Sequence, residues 1–260
     1  MEDGLSVASI TQNLATRFVG QKVIYYPTVT STNEIAKEKA KQGALEGTVV
    51  IAGEQTAGKG RRQRIWFSPK GSIALSVILY PRLDSLPSLI MLASLAVVRS
   101  IETVTSLKPR IKWPNDVLVN GRKVCGILVE SEVRGSKVGY AVVGVGVNVN
   151  LEASNLPAML PGATSLSDEL GRDVSLPGLV RRLLVEVEGL YLALESGGSI
   201  YEGWRDSLVT LGKEVSVESD GSRYIGIAES VARDGSLWLR HPDGGLSQIV
   251  AGDVSLRHQT

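Results

Sequence analysis

The sequence contains a single cysteine, Cys125, and two histidines, His241 and His258, in 260 residues. One thiol excludes an intrachain disulfide, and a reducing, cytoplasmic setting is the expectation. The same scarcity excludes a structural zinc site of the four-ligand kind, and no metal ligands are assigned. Aromatic residues make up only 5%, which argues against a surface that stacks nucleic-acid bases. Neither sign of charge is in excess: 28 Lys and Arg stand against 27 Asp and Glu, so global charge does not point to a polyanionic partner. Long hydrophobic runs are missing as well. The longest apolar stretch, from Ile90 to Val98, falls short of the roughly 20 residues that span a bilayer. The opening MEDGLSVASI lacks the basic segment and apolar run of a secretory leader. No membrane partner is therefore expected. What the chain does have is 43% hydrophobic content, enough to build one large domain, or one large and one small.

Periodicity and turn signals divide the chain in two. A weak helical pattern covers residues 7–19 and a strand covers 23–26. Ser31 or Thr32 is placed to cap a helix, with Glu34 reaching back to the backbone, and that helix stops near Gly43. A strand is expected over 48–54, another over 72–80, and a buried helix over 87–107. Short strands over 110–113, 116–119, 123–130 and 138–148 follow, with AsnGly at 120–121 as a two-residue hairpin turn needing positive φ at both positions. Leu179, Leu183, Val187, Leu190 and Leu194 fall on one stripe of a helix over 176–194. Short turns between strands imply a mixed, mostly antiparallel sheet with packed helices, an α+β fold. After residue 210 the texture becomes short alternating strands broken by AspGly at 220–221 and 234–235 and AspGlyGly at 243–245. Residues 1–210 are thus read as one domain and 211–260 as a small β-barrel.

Four segments carry chemistry. In GEQTAGKGRRQRIW (53–66), glycines at 53, 58 and 60 let backbone N–H groups approach a ligand, and Lys59, Arg61, Arg62 and Arg64 place four cations in six positions. Such a loop suits phosphate. Lys59 is followed by Gly60, so it is not a Walker A loop, and a solvated basic loop would look the same by itself. In KWPND (112–116), Pro114 presets a turn, Lys112 is available to an anion, and Asp116 is available to orient a cation or accept a proton. A purely structural turn anchored by Trp113 competes with that reading. In GRKVCGILVE (121–130), Lys123 opens an otherwise apolar strand and supplies a point charge for a carboxylate or phosphate, unless it simply ends a hairpin. Gly126 leaves room for a flat ligand, and Cys125 reads as a small buried hydrophobe. In VGVGVNVN (143–150), alternating glycines mark a close approach by ligand or backbone, and Asn148 offers a donor and an acceptor to a base edge.

With SerThrAsn at 31–33, these motifs run in one order across about residues 23–150 and resemble the biotin protein ligase family. The resemblance implies a class II synthetase-like catalytic domain followed by an SH3-like end domain. It implies a biotin pocket from Ser31, Thr32, Asn33, Gln55, Gly58, Lys59, Gly60, Arg61 and Lys123, with Gly126 and Gly146 as its floor. It implies a nucleotide site from Arg61, Arg62, Arg64, Trp66, Asn115, Lys123 and Asn148, with Trp66 near the adenine. Lys123, Arg61 and Asp116 are the catalytic candidates. The implied substrates are biotin and ATP with Mg²⁺, and the implied partner is a biotin carboxyl carrier protein domain, with a homodimer compatible. Where the family usually reads GRGRRGR, this chain reads GKGRRQR at 58–64, so Lys59 keeps charge without the bidentate fork and Gln63 replaces a flexible position. Members with a second, DNA-binding role carry a helix-turn-helix ahead of SerThrAsn. Thirty residues precede Ser31 here, so no specific DNA partner is expected. A lipoate or octanoyl transferase of the same architecture and a nucleic-acid-binding protein are the competing classes.

Overall fold

A computed structural model describes residues 4–151, 162–219 and 221–256. A strand buried on both faces sorts its side chains by parity, and this sorting organises the larger sheet. Its strands are β1 (Val23–Val29), β2 (Val49–Lys59), β3 (Ile65–Ser68), β4 (Ser72–Leu79), β5 (Arg110–Lys112), β6 (Asp116–Val119), β7 (Arg122–Arg134) and β8 (Lys137–Asn148). Their order is β1-β2-β4-β8-β7-β6-β5, with β3 paired to β2. Only β1 and β2 run parallel; the remaining pairs are antiparallel. The mixed, mostly antiparallel α+β fold expected from the turn spacing is present.

On one face Val49, Ile51, Val77, Leu79, Val143 and Val145 join the main core. Two helices cover it: α3 (Leu89–Thr105) and α5 (Leu176–Glu195). On the other face Val50, Ile78 and Val142 pack with Ala36 and Ala40 of α2 (Thr32–Lys41). A one-residue slip would exchange the two faces, so the register is strongly specified. By length and composition the stretch Leu83–Thr105 is long enough to cross a membrane, which corrects the reading of 90–98 as a short run. In the fold α3 is a core helix: Leu89, Leu92, Ala93, Ala96 and Ile101 are fully buried. Its polar intruders are satisfied locally, Ser94 donating to the Ile90 carbonyl at 2.8 Å and Ser100 to that of Ala96 at 2.6 Å.

Two sequence expectations fail at the N-terminal side. The helical pattern over 7–19 yields only α1 (Val7–Thr11), because Asn13 takes φ +57° and turns the chain away. The capping box at α2 does not form: Ser31 makes no side-chain cap bond, and Glu34 is drawn outward by two lysines. The strand expected over 48–54 continues to Lys59, so Gly53 and Gly58 belong to β2 and not to a loop. The AsnGly hairpin is as read, with φ +50° at Asn120 and +77° at Gly121.

The second sheet comprises β9 (Glu214–Ser219), β10 (Ser222–Val231), β11 (Leu237–Arg240), β12 (Leu246–Ile249) and β13 (Asp253–Leu256), in the order β12-β11-β10-β9-β13 and antiparallel throughout. This is compatible with the small β-barrel read from the AspGly spacing; Asp220 of the first turn lies outside the described residues. Val215, Val217, Leu237 and Leu239 share one hydrophobic core with the larger sheet. Buried Trp113 links the two, its indole N–H donating to the Gly235 carbonyl at 2.8 Å and its backbone N–H to the Thr210 hydroxyl at 2.9 Å. After Asn148 the chain continues into two further helices, α4 (Leu166–Leu170) and, beyond α5, α6 (Tyr201–Asp206), which packs on α3.

One buried carboxylate organises the approach to β1. Glu188 on α5 accepts the backbone N–H groups of Arg17, Phe18 and Val19 at 2.7, 2.8 and 2.9 Å. Burial opposes its charge, but the three donors hold its pKa below the ordinary carboxylate value. A depressed pKa stabilises the fold above the unfolded-state value and is lost as pH falls through the folded-state value. Glu188→Ala strands three backbone donors, that of Val19 buried and those of Arg17 and Phe18 part-buried, so urea denaturation at neutral pH should show a loss of about 2–4 kcal/mol. The deficit should shrink on acidification below pH ~4, as the wild-type carboxylate protonates.

Candidate active site

A cavity of 430 Å³ opens on the face of the larger sheet next to α2. The first turn of α2 builds one wall. Thr32 donates through its backbone N–H and its hydroxyl to Gln55 Oε1 at 2.8 and 3.1 Å. Ser76 Oγ lies 2.8 Å from Thr32 Oγ1 and 2.6 Å from Asn33 Oδ1, and Asn33 Nδ2 donates to Glu130 at 2.8 Å. Ser31, Thr32, Asn33 and Gln55 line the cavity, the last three with side chains held by these hydrogen bonds.

The floor is made of adjacent β7 and β8, where Gly126 pairs with Gly146. The sequence reading reserved this place for a flat ligand or a backbone. The structure puts the Trp66 indole there: a Cβ on Gly126 would come within 2.9 Å of the ring, and one on Gly146 within 2.3 Å of Nε1. Gly144 yields in the same way to Asn33, whose Oδ1 lies 2.1 Å from where a Cβ would stand. The Trp66 Nε1 donor is buried with no acceptor among the described residues.

The basic segment forms the roof. After β2 the chain makes a short 3₁₀ turn, Arg61–Gln63, and returns as β3. Arg62 and Gln63 hold φ of +51° and +61°, a left-handed conformation that disfavours side-chain-bearing residues. Gln63 thus adopts the backbone that the family's usual glycine would take without strain. Clustered cations would repel in an open loop. Here they converge on Asp253 of β13: Arg61 at 3.7 Å, Arg62 at 3.5 Å and Arg64 in direct contact. Arg61 also donates to the Gly252 carbonyl and to Asn115 Oδ1, each at 3.0 Å, and Arg62 to the Glu218 carbonyl at 3.0 Å. Burial lowers the Arg61 pKa, with the Asp253 and Asp116 charges opposing.

The turn between β5 and β6 supplies the remaining charges. Its Trp113–Pro114 peptide is cis. Asn115 is fixed by a 3.0 Å bond from Nδ2 to the Ile127 carbonyl. Asp116 pairs with Lys123 at 2.6 Å and with Lys112 at 3.4 Å. The Lys123 ammonium also stands 5.5 Å from the Trp66 ring centre, within cation–π range. Lys112 is occupied by Asp116 and does not line the cavity.

Most residues singled out from the sequence meet here. Lys59, Gly60, Arg61 and Arg64 line the roof, Trp66, Gly126 and Gly146 the floor, and Asn115, Asp116, Lys123 and Asn148 the remaining wall. Two do not. Gly58 is packed against the Trp66 carbonyl, 2.4 Å from where its Cβ would be, because β2 and β3 pair there. Arg62 points to the second sheet, since its left-handed backbone turns the side chain away. Asn148 reaches the cavity, yet its amide donates to the Thr164 carbonyl at 3.0 Å, so that donor is not available to a base edge. Cys125 is fully buried and burial pushes its thiol pKa well up, as expected of a hydrophobe. Sequence reasoning missed Asp253, which sits in an unremarkable GDVSL stretch with no pattern to mark it. It also missed the apolar lining of Ile65, Phe67, Ile127, Leu128 and Val145. Ile65 (78% exposed) and Phe67 (38% exposed) stand at the end of, and just beyond, the stretch read as glycine-rich and basic.

Comparison with known proteins agrees with this geometry. The profile of the biotin/lipoate A/B protein ligase family matches residues 25–148. The bifunctional ligase/repressor BirA of Bacillus spizizenii is 35% identical over 97% of this chain and 79% of its own length. The biotin–[acetyl-CoA-carboxylase] ligase of Paracoccus denitrificans is 36% identical over 86% of this chain and 96% of its own. Among solved structures, the Aquifex aeolicus biotin protein ligase in complex with biotin and ATP superposes with a TM-score of 0.77 at 26% identity, covering 92% of this chain and 100% of that one. The ordered motifs, the shared fold and these relatives together establish that the chain belongs to the biotin protein ligase family.

Proposed function

We propose that the protein is an ATP-dependent ligase that forms biotinyl-5′-AMP and transfers biotin to a lysine of a biotin carboxyl carrier protein domain. The observation that carries this is the convergence of Lys123 and Arg61 on one cavity. That cavity has an apolar floor for a ring system and a cation-rich roof for phosphate. Residues 1–210 would be the catalytic part and 211–260 an end domain, with Asp253 the end domain's contribution to the site. The ligase activity alone is proposed for these residues; the repressor role named for the bifunctional relatives is not carried over. A cytoplasmic setting and a homodimer accord with the reading.

The first step joins two anions. The biotin carboxylate attacks the α-phosphorus of ATP, an O–P bond forms, and pyrophosphate leaves. Lys123, Arg61 and the Gly60 region would offset the charge growing on the phosphate oxygens. The indole N–H of Trp66, buried without a partner among the described residues, is available to a ligand acceptor, and its ring would pack beside the adenine. Ser31, Thr32, Asn33 and Gln55 would hold the polar head of biotin. Mg²⁺ keeps several waters and binds through one or two carboxylates and substrate phosphates. Asp116 and Asp253 are the cavity carboxylates, and both are engaged by cations. The ion would thus enter with ATP and neutralise the leaving pyrophosphate.

In the second step the carrier lysine attacks the mixed anhydride carbonyl, a C–N bond forms, and AMP leaves. A free lysine is mostly protonated at neutral pH, so a proton must be taken up. Asp116 is the proposed acceptor. It also sets the direction of Lys123, which it holds at 2.6 Å.

Biotin-dependent ATP–pyrophosphate exchange tests the assignment, with lipoate and octanoate as competing acids; exchange driven by those acids and not by biotin would reject it. In the same assay Lys123→Ala should lose on the order of 10²-fold or more, the usual effect of removing one preorganised charge. Asp116→Ala should form adenylate and then transfer it at least about tenfold more slowly in a single-turnover assay with carrier; transfer at the wild-type rate would remove Asp116 from that role. Asp253→Ala frees the roof arginines, so limited proteolysis within 58–66 should quicken on the order of tenfold, as the loss of about 1.4 kcal/mol of closure implies. Biotin with ATP should suppress the cleavage.

A further inference from the structure

Behind the α2 wall of the cavity runs a chain of alternating charges that the reaction scheme does not use. Lys59 Nζ lies 2.5 Å from Glu34 Oε1, and Lys37 Nζ lies 2.6 Å from the same oxygen. Lys37 continues to Glu130 at 2.7 Å, and the other Glu130 oxygen accepts from Asn33 at 2.8 Å. Both ends of the chain, Lys59 and Asn33, line the cavity. The two carboxylates between them do not; they open on a separate outer groove between α2 and the β7–β8 pair.

We infer that Glu34 is a positioning residue for the biotin-binding lip. It draws Lys59, and with it the Lys59 end of the β2–β3 hairpin, onto the head of α2. The inference rests on the ligase reading and adds a part to it. The sequence reading gave Glu34 a different task, that of closing the helix cap. In the structure its carboxylate is turned away from the backbone, and the cap side chain makes no bond. The two lysines hold its pKa below the usual carboxylate value, so it stays charged. The hairpin is then tied to one turn of α2 at two places: Gln55 to Thr32 through a hydrogen bond, and Lys59 to Glu34 through charge. The first tie sits at the inner end of the cavity wall and the second at its lip. Lysine at position 59, where the family usually has arginine, suits this tie, because a single ammonium on a flexible stem meets one carboxylate oxygen shared with Lys37.

Glu34 and Lys59 are 37% and 51% exposed, and pairs so exposed contribute little to global stability. The tie should therefore act on lip position and not on folding. Exchange kinetics of Glu34→Gln should show the KM for biotin raised about three- to fivefold, with kcat and the KM for ATP within about twofold. Glu34→Gln combined with Lys59→Ala should be no worse than either alone. Raising salt should lift the wild-type KM for biotin toward that of Glu34→Gln. Glu38→Gln, exposed one turn further along α2, serves as the unaffected control. Hydrogen exchange of residues 56–67 without ligand judges the tie apart from the chemistry: faster exchange in Glu34→Gln at an unchanged melting temperature supports it. Unchanged exchange, an unchanged KM for biotin, or additive effects in the double variant would overturn it. A wild-type protein lacking biotin-dependent exchange would instead overturn the ligase reading, and with it the biotin part of this inference.

Discussion

Bringing Lys123 and Arg61 to one cavity is the constraint to which the rest of the site answers. Two like charges 4 Å apart repel by about 4 kcal/mol at an effective dielectric of ~20, and here the cations are partly withdrawn from water. Two carboxylates make the arrangement tolerable before any substrate binds. Asp116 holds Lys123 and Lys112, and Asp253 holds the roof arginines. Both lie in the cavity, so each also stands where negative substrate must come. Binding of a phosphate chain would exchange one set of anionic partners for another, with the cations already aimed.

This constraint explains why the second sheet shares a core with the first. Asp253 must be held within reach of residues nearly 190 positions earlier in the chain. The link through Trp113, Gly235 and Thr210 fixes β13 relative to the β5–β6 turn that carries Asn115 and Asp116. Arg61 then closes the triangle by touching Asn115 and Gly252 at once. The C-terminal strands thus take part in the geometry of the site.

The floor follows from side-chain absence. Gly126 and Gly146 meet across the β7–β8 pair, leaving a shallow slot between strands otherwise lined with Ile and Val. Trp66 lies in it and brings an indole face under Lys123. Val143, Val145 and Val147 of β8 and Val124 of β7 belong instead to the core under α3. One pair of strands in this way supplies both the scaffold and a surface flat enough for a ring.

Much of the fold was legible in the residues themselves. Parity along β2, β4 and β8, the AsnGly turn and the leucine stripe of α5 are local patterns, and local sterics and burial decide them. Gly126, Gly146, Arg61, Asp116 and Lys123, which line the cavity, were legible as candidates because charge and missing side chains are rare inside strands. Four features were not legible. Asp253 acquires its meaning only from arginines brought to it through space. Glu34 abandons the helix cap because two lysines, one of them twenty-five residues away, compete better for its charge than a backbone N–H does. The glycine slot is filled by Trp66 because pairing of β3 with β2 delivers the ring there. Arg62 and Gly58 leave the site because a backbone dihedral and a strand pairing point them elsewhere. Sequence alone determined which groups were available; the tertiary structure decided which of them meet, because electrostatic and packing partners are chosen by distance in space and not along the chain.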